Sequence, residues 1–145
     1  ANVRVIVEKV YQMVTAAPGP NLMPSCGRRA VWNDLWTTGT YFENTTNIRC
    51  HESAWQRLIG YAAPVIVFIV NEVEGGDIGC SLGPFTDYVT IEGQKPICIA
   101  HEIAHACGLW HVKDRENLAN HFCGARKLEF WQKALVRSSR HVTYL

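Results

Sequence analysis

Apolar positions along the chain fall into short blocks separated by turn residues. Val3, Ile6, Val7, Val10, Tyr11 and Val14 follow helical spacing behind Asn2, while Val3, Val5 and Val7 also alternate as in a strand, so this segment fits either element. Residues 17–24 are rich in Pro and Gly and break the pattern. A short helix is predicted over 28–36, with Gly39 past its end, and an extended stretch over 40–48. Residues 53–62 place Ala54, Trp55, Leu58 and Ile59 on one helical face.

Pro64 ends that face. Residues 65–70 then form a continuous β-branched run, the pattern of a buried central strand. Gly75, Gly76 and Gly79 predict a flexible loop, and residues 85–92 a second strand containing Tyr88, Val89 and Ile91. Pro96 suits the first turn of a helix that follows it. Leu128, Trp131 and Leu135 predict an amphipathic C-terminal helix over 126–136.

The chain has 145 residues, enough for one domain with a real core. Apolar residues make up 48% and charged residues 19%, which excludes a disordered composition. A net charge of +1 argues against nucleic acid as a partner. The longest apolar run, residues 61–70, is too short to span a bilayer. Cys26, Cys50, Cys80, Cys98, Cys107 and Cys123 form no CxxC pair, which favours disulfides in an exported protein over a zinc ribbon; buried free thiols are the alternative. Asn44-Thr45-Thr46 is a glycosylation sequon.

One stretch carries the chemistry. His101, Glu102, His105, Gly108 and His111 spell HExxHxxGxxH. Residues four apart on a helix lie one turn apart and about 40° apart around the axis, so His101 and His105 can aim at one ion. Glu102 is rotated by about 100° from His101 and sits beside that site, placed to take a proton from an acidified water. Gly108 tolerates the left-handed conformation that ends a helix and turns the chain, which lets His111 return to the metal. Three His ligands with a position left over describe an open, catalytic Zn2+ site.

The motif resembles the zinc-binding signature of the metzincin clan of metalloendopeptidases. The resemblance implies an α+β domain over residues 1–145. Its upper subdomain, about 1–108, would hold a twisted mixed sheet and the active-site helix. A small irregular lower subdomain, about 109–145, would end in a C-terminal helix. It implies residues 85–91 as the edge strand that pairs with an extended peptide or protein substrate. Metal ligands would be His101, His105 and His111, with Glu102 as general base. Residues 116–121 resemble the family's Met-turn, with Ala119 where the methionine would stand, and this departure motivates the second reading, a zinc module that binds a partner without cleaving it. His121 stands where some members carry a transition-state-stabilising Tyr, a surface or packing His being the bland alternative. Cys107 falls on the helix face opposite the metal and Cys98 near the helix start, both read as structural.

Overall fold

The computed structural model describes residues 4–5, 7, 22–23, 65–70, 72–73, 78–81, 83–85 and 88–142. Within them the chain is a small α+β structure with a three-stranded mixed sheet and two helices. The strands are β1 (Leu22–Met23), β2 (Ile66–Val70), β3 (Glu72–Val73), β4 (Gly79–Ser81) and β5 (Tyr88–Glu92). The helices are α1 (Ile99–Ala106) and α2 (Phe130–Arg137). The predicted helices over 28–36 and 53–62, the extended stretch over 40–48 and the sequon lie outside the described residues. Of the N-terminal segment only Arg4, Val5 and Val7 are described, outside any element.

β5 lies in the middle of the sheet. It pairs in parallel with β2, Val67 opposite Val89, and antiparallel with β4, Cys80 opposite Thr90. A strand covered on both faces reads as a near-continuous apolar run, and Tyr88, Val89, Thr90 and Ile91 are all buried. This corrects three expectations. Residues 85–91 do not form an edge, because β5 has a hydrogen-bonded neighbour on each side. Among the described residues the outer strands are β2 and β4, so the run at 65–70, expected to be central, lies on the outside, with Ile69 68% exposed. Gly79, read as part of a flexible loop, is the first residue of β4. β1 and β3 form a separate parallel pair.

Pro96 opens a 3-10 turn, Pro96–Cys98, that runs directly into α1. Gly108 ends the helix at φ +93°. The Leu109 N–H donates to the Ala104 carbonyl at 3.0 Å and the Gly108 N–H to the His105 carbonyl at 2.8 Å, the paired closing bonds of a Schellman motif. Leu109 and Ala104 also meet in the core, the apolar contact that accompanies this cap. The Cys98–Cys123 disulfide fastens the start of α1 to the loop 25 residues on. Cys80 is also disulfide-bonded.

A second core lies under α1. Ala104, Cys107, Leu109, Ala119 and Val136 are buried together, with Ile103, Val112, Leu118 and Leu128 packed around them. Helix α2 is capped by Glu129, whose side chain and that of Gln132 form a capping box. The helix therefore starts later than the predicted 126. Its inward residues are Gln132 and Val136, whereas Trp131 is 54% exposed. The buried Gln132 pairs with the buried Asn117: Asn117 Nδ2 donates to Gln132 Oε1 at 2.7 Å, and Gln132 Nε2 donates to Asn117 Oδ1 at 3.1 Å.

The reversal at Gly108 yields the first prediction. A Cβ there would meet Leu135 at 3.9 Å, an ordinary contact, so the penalty of Gly108→Ala is conformational. The variant should lose about 1–2 kcal/mol of stability, read from urea unfolding. An unchanged midpoint would mean that the turn does not depend on left-handed backbone.

Candidate metal centre

Helix α1 places His101 and His105 one turn apart, and the chain reversal brings His111 back beside them. The three Nε2 atoms form a triangle. His105 to His101 is 2.9 Å, His105 to His111 is 3.1 Å and His111 to His101 is 3.3 Å. Nitrogens bound tetrahedrally at about 2.0–2.1 Å from zinc would stand roughly 3.3–3.4 Å apart, close to these edges. Among the described residues this is the one cluster of three or more such groups that could hold a metal ion. His101 is buried, His105 half-buried and His111 exposed, so the cluster is closed at its base and open to solvent at its rim.

The outer nitrogens decide the tautomers. His101 Nδ1 lies 2.7 Å from the Leu118 carbonyl, and His105 Nδ1 lies 2.5 Å from the Leu109 carbonyl. A carbonyl oxygen only accepts, so each Nδ1 carries the proton and donates it. In the neutral ring each Nε2 then presents a lone pair. His105 Nε2 and His101 Nε2 thus face each other at 2.9 Å with no proton between them. Two acceptors at that distance repel, and a cation between them turns the repulsion into attraction. The donor set therefore fits a metal ion.

Burial favours the neutral rings that a metal needs. It is the main cause pushing His105 down to about 4, against the opposing pull of the Leu109 carbonyl, with His101 and His111 adding to the depression. Burial likewise lowers His101, again opposed by a carbonyl, that of Leu118, with a smaller push from His121.

Glu102 is buried on the side of α1 that faces β4. Its carboxylate lies so near Gly79 that a Cβ there would stand 2.6 Å from Glu102 Oε1. The strand's missing side chain is the space the carboxylate fills. His121 is exposed, and its ring stands perpendicular to that of His111 with centroids 5.2 Å apart. Ala119 is fully buried beneath the site, and its carbonyl accepts the Val112 N–H at 3.0 Å. Cys107 is a buried free thiol, pushed up mainly by burial, and is not among the groups that meet at the metal cluster. Cys98 is structural through its disulfide.

The sequence reading missed the Leu109 and Leu118 carbonyls and the role of Gly79. A lone Gly beside strand residues is a known sign of close backbone approach, so Gly79 left a usable trace. The carbonyls left none, because any residue can supply one. The chain shows no match to a known protein family, to curated proteins or to solved structures.

The lowered His105 implies a pH dependence of stability. Between pH 6.5 and 4 the unfolded chain holds a proton on this ring that the folded chain rejects. Stability present above pH 6.5 is therefore lost as pH falls toward 4. The Tm of the metal-free protein should drop across this window, and His105→Gln should flatten the drop. Equal slopes would show that another group sets the acid limb.

Proposed function

We propose that the chain is an exported, zinc-dependent endopeptidase of metzincin type that cleaves peptide or protein substrates. The observation that carries this reading is the three-histidine cluster, its Nε2 atoms converging and its rim open, with the Glu102 carboxylate on the same helix. A metal that only braced the fold would be expected in a closed, four-ligand site. The Cys98–Cys123 disulfide is compatible with an extracellular setting. Among the described residues no helix is long and apolar enough to cross a membrane.

Zinc held by His101, His105 and His111 would supply Lewis acidity, polarising the scissile carbonyl and acidifying a water. Glu102 takes the proton from that water and passes it to the leaving amine nitrogen. Burial shields its carboxylate from bulk solvent, and Gly79 leaves room for it beside the sheet. An extended substrate would lie along β4, the outer strand that packs against α1. His121, next to His111, is the candidate donor to the developing oxyanion.

Glu102→Gln should bind zinc as the wild type does and lose roughly 10²–10⁴-fold in the rate of peptide cleavage. The check is a digest of a diverse peptide mixture read by mass spectrometry, with zinc content measured on both proteins. Undiminished cleavage by the variant would overturn the assignment of the base. If both proteins hold zinc and neither cleaves, the non-cleaving partner-binding module becomes the better reading.

A milder variant tests the seat of the carboxylate. Gly79→Ala should push the carboxylate aside and lower kcat by up to about 10²-fold, the scale of an ångström-sized misplacement. Zinc content should not change. A kcat equal to wild type would mean that the Glu102 position tolerates the added methyl.

A further inference from the structure

The Leu118–Ala119 peptide group joins the metal cluster to the last helix. Its carbonyl end accepts the His101 Nδ1–H at 2.7 Å. Its N–H end belongs to Ala119 and donates to Asn117 Oδ1 at 2.9 Å. A trans peptide is planar, with its C=O and N–H pointing in opposite directions. Holding the N–H therefore aims the carbonyl.

Asn117 can hold it only if its own side chain is fixed. Gln132 does this with two reciprocal hydrogen bonds, at 2.7 and 3.1 Å. Gln132 is fixed in turn by the Glu129 N–H, which donates to its Oε1 at 2.8 Å. Asn117 is 1% exposed and Gln132 0%, so water cannot replace a lost partner without opening the core. One line of hydrogen bonds thus runs from the start of α2, through two buried amides and one peptide plane, to the outer nitrogen of a metal ligand.

We propose that Gln132 is a positioning residue for the metal centre, setting the orientation and tautomer of His101 through Asn117 and the Leu118–Ala119 peptide. It touches neither metal nor substrate. Outer partners of a ligating imidazole typically govern 10–100-fold in metal affinity, and here the partner carbonyl is itself held from one step further out. This inference rests on the metal-holding role of the three histidines and does not require peptide hydrolysis.

The test uses Gln132→Met, which keeps the length of the side chain and removes every hydrogen bond it makes. The whole chain is loaded with zinc against a competing chelator, and with Co2+ for its visible spectrum. Val136→Ala is the control. It weakens the same helix in the same core but leaves Asn117 and Gln132 intact. Gln132→Met should bind zinc roughly 10–100-fold more weakly than wild type and shift the Co2+ spectrum. Val136→Ala should lower Tm while leaving both the affinity and the spectrum in place. Should Gln132→Met fold only with metal present, the zinc dependence of its Tm reports the same dissociation constant.

Equal losses of affinity in the two variants would overturn the proposal, because general destabilisation would then explain both. So would unchanged affinity and spectrum in Gln132→Met. A wild-type chain that binds no zinc would remove the metal reading itself, whereas zinc binding without peptide cleavage would leave this inference standing.

Discussion

Three imidazole nitrogens held within 3.3 Å of one another are the constraint around which the described structure is built. The lone pairs of His101 and His105 oppose each other at 2.9 Å, an opposition that a bound cation would turn into attraction. The relevant work of the fold is to keep the rings from turning away. Helix α1 fixes two of them through its backbone spacing, and backbone carbonyls hold their outer nitrogens. The Schellman turn at Gly108 delivers the third. That turn also aims the Leu109 carbonyl, so one chain reversal both returns His111 to the cluster and braces His105.

The groups that hold the outer nitrogens of His101 and His105 are neutral. Buried charges are costly to desolvate, and a broken buried ion pair leaves an uncompensated charge. The described core instead pairs two amides, Asn117 and Gln132, whose donors and acceptors match each other. The charged residues nearby, Lys127 with Asp114, Glu116 and Glu129, sit at the surface, where such contacts contribute little. A satisfied neutral network rigidifies the turn that carries the Leu118 carbonyl. Ala119 sits fully buried in that turn, so its place in the core is filled rather than solvent-exposed.

Two sequence expectations misplaced elements for definable reasons. Tyr88, Val89 and Ile91 mark a strand, but strand character does not reveal neighbours, and pairing on both sides puts β5 in the interior of the described sheet. In α2 the apolar spacing of Leu128, Trp131 and Leu135 pointed to one face. The face that packs inward carries Val136 and a glutamine, because Asn117 offers Gln132 matching hydrogen bonds and makes its burial tolerable. Hydrophobic periodicity cannot anticipate a polar residue that finds its partner across the core.

Short-range physics made the three-histidine cluster readable from the residues alone. Helical spacing relates His101 to His105 and Glu102, and the left-handed freedom of Gly108 permits the return of His111. Those relations span at most ten residues and rest on backbone geometry that every chain shares. Tertiary structure decided the rest: which carbonyl each ring donates to, which strand is the edge, and which glycine makes room for Glu102. His101 meets a carbonyl 17 residues away, and Asn117 meets Gln132 15 residues away. Contacts at that range depend on how the loops close and on which polar groups must be paired once water is excluded. No local pattern of residue types encodes either.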